Sequence, residues 1–218
     1  MGKIRTAVVT GSHPFDVINF HGLFRSFQDA DCYIQHLDDF ASSDEKTRDA
    51  YDVVLFFFMP AGKPSDEGGN GYQGKPLSAI RRIIEQKQPI FALHHSILAY
   101  PDWPEWGEIV GYNEERSFTF DNDQRLALTI SDPNHPITTG LDSWDLVDES
   151  YGMANPVDSA HILITTDHPK SMEAIAWVLT HHGSRVFCFQ SGHDVTAWAD
   201  QRFKTIVQRG IQWCAGRI

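Results

Sequence analysis

In the first half of the chain, short unbroken apolar runs alternate with stretches whose apolar residues recur at helical spacing. RTAVVT (5–10) reads as a first strand, and residues 17–27 place Phe20, Leu23, Phe24 and Phe27 on one side of a helix. DCYIQHL predicts a second strand. YDVVLFFF (51–58) is apolar without alternation, as a strand covered on both faces must be. LSAIRRIIEQ (77–86) returns to helical spacing through Ile80, Ile83 and Ile84, and PIFAL (89–93) is the next strand. Strands alternating with helices predict right-handed crossovers and a mostly parallel sheet.

The second half changes character. RSFTF and RLALTI read as two strands separated by the turn DNDQ, and SDPNHPITTGL is dense in turn residues. HILITT, EAIAWVL and RVFCFQ predict three more strands, the last two joined by the hairpin turn HHGS. WADQRFKTIVQRGIQWCAG reads as a closing helix with a core stripe of Phe203, Ile206, Val207, Ile211 and Trp213 or Cys214, and Gly216 follows its end. No linker, internal repeat or low-complexity tract divides residues 1–218, so one α/β domain is expected.

Composition removes several functions. The net charge is −11 with no basic stripe, which argues against nucleic acid and against anionic membrane surfaces. No stretch approaches the roughly 20 apolar residues of a membrane span, and the run after Lys3 and Arg5 is too short for a signal-peptide core. The three cysteines, Cys32, Cys188 and Cys214, are odd in number and far apart, so neither a disulfide framework nor a zinc-binding Cys pair is expected. A soluble, cytoplasmic protein follows. A homodimer is compatible with such a domain, and no segment marks an interface.

Histidine is the outlying count, at 11. In a parallel α/β sheet ligands bind beyond the C-terminal strand ends. The first strand is followed by GSHPFD, with His13 and Asp16. PIFAL is followed by His94 and His95. RVFCFQ is followed by SGHD, with His193 and Asp194. Three strand ends thus deliver imidazole to one edge, two of them with a nearby carboxylate. Each has a plainer reading: a lone strand-end histidine is most often a surface or structural residue, and Asp194 can simply cap the helix that begins VTAW. Successive strand residues point to opposite faces, so His94 and His95 do not reach the same atom; a sharp turn there puts His94 at the tip.

Other segments offer further candidates. DSWDLVDESYGM carries Asp148, Glu149 and Tyr151, a set suited to acid–base work or to sugar hydroxyls, or else solvated turn residues. GGNGYQGKP is a near miss for a phosphate-binding loop, because Pro76 stands where the hydroxyl residue belongs and has no N–H to offer. The loop reads as a lid over the site or as a surface loop. Trp103 and Trp106, in YPDWPEWGE, are core residues or sugar-stacking platforms. Cys188, inside a strand, reads as a buried small apolar residue.

ALHHS, DPNHPITTGL, DESY, AWVLTHHGSRVFCFQSGHDVTAW and GIQWCAG, in this order, resemble the ThuA-like family, named for trehalose utilisation. The resemblance runs from about residue 5 to 216; the HPIT-x-GL and RVF…GHD…W blocks are its most specific pieces. It implies a class I glutamine amidotransferase-like, flavodoxin-type parallel sheet with an added antiparallel part. Amidotransferases of that superfamily carry a nucleophilic Cys at a strand-to-helix turn, and the matching stretch here is Ala92-Leu93-His94-His95-Ser96, with His94 in the thiol's place. A thioester mechanism cannot run there. His193 and Asp194 match the superfamily's late His with its following carboxylate. The stretch EERSFTF departs from the family pattern in lacking a histidine.

The expectation is therefore a protein of carbohydrate utilisation, acting on trehalose, a related disaccharide or a keto-sugar. It would be an isomerase, lyase or hydrolase. His94 and His193 would be acid–base residues or ligands of a divalent metal, with His13, Asp16, Glu149 and Asp194 completing the site. The alternative is a noncatalytic sugar-binding or assembly protein on a retired amidotransferase scaffold.

Overall fold

The computed structural model describes residues 2–68, 73–114 and 116–218. The 69–72 part of the phosphate-loop near miss lies outside the described residues. The chain runs β1 (Ile4–Gly11), α1 (Val17–Arg25), β2 (Ala30–His36), α2 (Leu37–Ser42), α3 (Glu45–Asp49), β3 (Val53–Phe58), α4 (Pro76–Glu85) and β4 (Ile90–Leu93). A short 3₁₀ helix (His94–Leu98) and α5 (Pro104–Val110) follow. Then come β5 (Thr119–Ile130), β6 (Trp144–Gly152), β7 (His161–Thr165), β8 (Ala174–His181), β9 (Ser184–Phe189), α6 (Val195–Ala199) and α7 (Gln201–Cys214).

The strand order is β2-β1-β3-β4-β9-β8-β7-β5-β6. The first five are parallel, in the flavodoxin-type order, and every later pairing is antiparallel. The expected α/β class with an antiparallel addition is thus the observed one. Strand periodicity sorts the core into two layers. Val53, Leu55 and Phe57 of β3 pack with α1, α6 and α7; Val54, Phe56 and Phe58 pack with α2, α4 and α5. Both faces are covered, which is why this strand shows no polar alternation. No helix among the described residues is long and apolar enough to cross a membrane.

Three elements differ from the sequence pattern. DNDQ is not a turn between strands but part of the continuous β5, whose register slips between Asp121 and Gln124. Asp123 takes a left-handed φ of 55°, so the turn-type residues form a bulge that bends the strand without reversing it. The acidic stretch expected as a turn is the strand β6. β5 pairs with β7 only at Thr129 and Ile130 and with β6 along most of its length. β5 and β6 therefore leave the main sheet as a two-stranded ribbon. The closing helix is also split, because Asp200 is extended and caps α7 through the Arg202 and Phe203 N–H groups. HHGS forms the expected hairpin, with His182 and Gly183 both left-handed between the paired His181 and Ser184.

α7 lies flat on β4 and β9 because position 210 is glycine. A Cβ there would come within 2.5 Å of the Phe187 ring and 3.0 Å of Phe91. Gly210→Ala is expected to lower stability by about 1–3 kcal/mol through overpacking. Urea titration should show a lower midpoint at an unchanged slope; an unchanged midpoint would mean the helix can lift without cost.

Candidate functional site

β4 ends at Leu93, and the next residue turns sharply. His94 adopts φ 53°, a left-handed conformation costly for a residue with a Cβ. Ser96 holds the turn in place: its hydroxyl donates to the Phe56 carbonyl at 2.7 Å and accepts the Phe58 N–H at 3.0 Å. The turn sends the two histidines apart, as the strand geometry requires. His94 points across the C-terminal edge of the sheet toward β6 and the loop after β9. His95 packs against the Phe57 ring, with centroids 4.4 Å apart, and stacks on His13 at 4.3 Å.

The His94 ring is oriented by backbone. Its Nδ1 lies 2.7 Å from the Gln190 carbonyl oxygen. A carbonyl only accepts, so Nδ1 carries the proton and, in the neutral ring, Nε2 presents a lone pair. Three groups gather at that lone pair. The Tyr151 hydroxyl donates at 2.9 Å, Glu149 Oε2 lies at 3.3 Å and His193 Nδ1 at 3.3 Å. His193 Nδ1 and Glu149 Oε2 are 3.5 Å apart. Glu149 and Tyr151 are two residues apart on β6 and so share a face.

Asp148, beside Glu149 in the chain, points the other way. Buried, it accepts the N–H groups of Gly192 (2.6 Å), His193 (2.9 Å) and Glu149 (2.9 Å). It thereby fixes the loop that carries His193. Gln190 links the same parts, since its side-chain amide donates to the Glu149 carbonyl at 2.9 Å.

The charges follow from these contacts. The Glu149 hydrogen bond, set against partial burial, raises the His193 pKa above 6.5. Burial alone would raise the Glu149 pKa, but the hydrogen bond from His193, together with the neighbouring His94 and Tyr151, outweighs it and holds the carboxyl well below its usual range. Burial raises Asp148 against the opposing pull of His94 and the three backbone N–H groups. Burial, reinforced by Glu149, pushes the Tyr151 phenol far up, so it stays protonated. Burial and the neighbouring His94 push His95 far down and His13 down, so this stacked pair favours the neutral form.

Of the expected site residues, the structure brings together His94, His193 and Glu149, with His13 one ring away at 6.1 Å from His193. Asp16 and Asp194 are placed as helix caps. Asp16 accepts from Asn19 at the start of α1, and Asp194 accepts the Thr196 N–H at the start of α6. Tyr151, singled out with Glu149 in the sequence, sits inside the cluster. Gln190 escapes the side-chain pattern, because its contribution to His94 is a main-chain carbonyl and only its place at a strand end hints at it. Trp103, at the N-cap of α5, and Trp106, on α5 itself, are buried in the core rather than open as platforms. Cys188 is fully buried with its thiol pKa pushed far up, which suits packing and not nucleophilic attack.

The fold has relatives. The chain belongs to the ThuA family: the family model, described as trehalose utilisation, matches residues 28–214. A ThuA-like protein from Parabacteroides merdae superposes with a TM-score of 0.75 at 18% identity, over 99% of this chain and 91% of that one. Another from Bacteroides uniformis gives 0.74 at 12% identity, over 98% and 91%. A glutamine amidotransferase from Thermotoga maritima gives 0.54 at 9% identity, over 99% of both chains, and places the fold among glutamine amidotransferase-like domains. At these identities the solved structures show the fold alone. No curated protein matches the chain.

Two outcomes test the site's construction. Asp148→Ala leaves buried N–H groups of the β9–α6 loop without an acceptor, and should cost roughly 2–4 kcal/mol by denaturant titration; a loss below about 0.5 kcal/mol would mean that water replaces the carboxylate. The second concerns pH. His193, raised above 6.5, contributes fully below that pH and loses its contribution as pH rises through its folded value; Glu149, held below 4.5, contributes above that pH and loses it as pH falls. In chelating buffer, the stability gap between wild type and Glu149→Gln should be widest between about pH 4.5 and 6.5 and narrow on either side. A pH-independent gap would show that the pair is not charged.

Proposed function

We propose that the protein is an enzyme of disaccharide utilisation, acting on trehalose, a related disaccharide or the keto-sugar derived from one, with its chemistry at the His94 turn. The observation that supports this most directly is the convergence of Glu149, Tyr151 and His193 on His94 Nε2, all within hydrogen-bonding range or just beyond it. Moving a proton beside a sugar carbonyl, or onto a glycosidic oxygen, needs a donor and an acceptor within reach of one atom. Here the protonated phenol and His193 are donors, and the ionised Glu149 and the imidazole lone pair are acceptors. The family's trehalose utilisation supplies the substrate class.

A cavity of about 330 Å³, lined by Ser12, His36, Leu37, Asp38 and Pro76 among others, opens beside the loop after β1, next in the chain to His13 but not lined by the clustered residues themselves. That is within the range of small-molecule sites. The turn carries His94 where a cysteine nucleophile would stand, which argues against thioester chemistry there, and isomerisation, elimination or hydrolysis are the reactions we propose. A cytoplasmic location fits such a role.

The test is exchange and turnover. Trehalose and keto-disaccharides are incubated with the protein in D₂O and followed by NMR. The expected result is deuterium entry beside the carbonyl, or product formation, reduced at least about 100-fold in His94→Ala. If no sugar exchanges or turns over, while calorimetry shows binding equal in wild type and His94→Ala, the protein is a noncatalytic sugar binder and the enzymatic reading falls.

A further inference from the structure

The distances in the cluster are long for hydrogen bonds and regular for something else. His94 Nε2, Glu149 Oε2 and His193 Nδ1 form a nearly equilateral triangle with edges of 3.3, 3.3 and 3.5 Å. Hydrogen bonds of these types cluster near 2.9 Å. A tetrahedral ion with bonds of about 2.0–2.1 Å sets its ligand atoms about 3.3–3.4 Å apart. We propose that these three residues hold one divalent transition-metal ion of the zinc class. The inference deepens the sugar-enzyme reading; it rests on that reading for the ion's use, while the site itself rests on geometry.

Three further observations point the same way. His94 donates Nδ1–H to the Gln190 carbonyl, the outer contact that turns an imidazole's other nitrogen into a ligand. The remaining donors are braced too: Asp148 holds the backbone N–H of His193 and Gln190 holds the Glu149 carbonyl. Second, buried polar atoms beside the cluster have no protein partner, namely both ring nitrogens of His95, Gln190 Oε1 and Ser191 Oγ. His95 is 1% exposed, with its ring 5.0 Å from that of His94. Such unmet polarity around a donor set is expected where a bound ion and its water complete the structure. Third, His94, Glu149 and His193 are the one group among the described residues whose ligand atoms all lie within 4.8 Å of one another. Two imidazoles and one carboxylate suit zinc, cobalt, nickel or iron and disfavour calcium and magnesium.

Three protein ligands leave a coordination position for a substrate oxygen or water, which is the catalytic rather than the structural pattern. With the three ligands occupied, proton handling narrows to Tyr151 and His13. Tyr151 shares the Nε2 lone pair with the ion, so the two compete for it. This yields a result that a purely structural cluster would not show: Tyr151→Phe should bind metal at least as tightly as wild type.

The experiment uses the full chain, purified without a histidine tag and stripped with a chelator. It is titrated with Zn²⁺ by calorimetry and with Co²⁺ by visible absorption. One ion per chain is expected, with affinity at least about tenfold weaker in His94→Ala, Glu149→Gln and His193→Ala. His161→Ala, at an exposed His–Asp pair away from the site, serves as control and should bind as wild type does. X-ray absorption of zinc-loaded wild type should show imidazole scattering, which keeps the test decisive if a variant fails to fold. No stoichiometric binding, binding unchanged in the folded cluster variants, or a zinc spectrum without imidazole overturns the proposal. Stoichiometric metal without sugar turnover would sustain the ion and reject the enzymatic reading. Undiminished turnover in metal-free protein that binds no added ion would do the reverse.

Discussion

The hydrogen bond from His94 Nδ1 to the Gln190 carbonyl, 2.7 Å long across 96 residues of chain, sets the terms for the rest of the site. It joins the ends of two adjacent parallel strands, β4 and β9. Because the carbonyl can only accept, it fixes the ring's tautomer and direction together. A flipped ring would turn a proton toward Tyr151 and His193 and leave the Gln190 carbonyl without its donor. The left-handed backbone at His94 conflicts with this residue's own preference by roughly 1–3 kcal/mol. It persists because Ser96, Trp106 and the strand pairing on either side over-determine the turn; the Trp106 indole N–H donates to the Ser96 carbonyl at 2.8 Å.

Around that bond the protein places polar groups where an ordinary core would place apolar ones. Asp148, Glu149 and Ser150 follow one another on β6 and all are buried. Asp148 organises backbone, Glu149 faces the imidazoles, and the Ser150 hydroxyl lies beside the Asp121 carbonyl across the ribbon. Directly below sits unrelieved hydrocarbon, with Phe57, Leu93 and Trp198 in one layer. This low-dielectric floor strengthens every charge interaction above it and makes each unpartnered polar atom costly.

Much of this is legible in the chain, for reasons that differ by element. The parallel half announces itself because strands covered on both faces show continuous apolar runs, and the helices between them show stripes such as Ile80 and Ile83. Three strand ends bearing His13, His94 and His193 then fall on one edge as a matter of topology. The choice of His94 over His95 follows from pleat geometry plus a turn. β6 is hidden because its buried face carries carboxylates, the local rule-breaking expected of functional strands. β5 reads as two strands because Asn122 and Asp123, good turn residues, serve equally well in a bulge. Asp16 and Asp194 carry the residue type of catalysts and the position of helix caps, and the caps are what the structure shows. Gln190's role is carried by its main chain, which no side-chain pattern encodes.

The ribbon of β5 and β6 stands at the far end of the hydrogen-bonded strand order, yet it returns Glu149 and Tyr151 to the centre of the parallel half. The partners of His94 thus lie 57 residues away at Tyr151 and 99 at His193, and none is local. Loop-closure entropy makes such distant contacts late arrivals in folding. The strands of the parallel half can pair before the ribbon docks, and at that stage the imidazoles face solvent without carboxylate or phenol. The full cluster therefore exists only with the ribbon docked, and fraying of β5 and β6 would take Glu149 and Tyr151 away from His94 together.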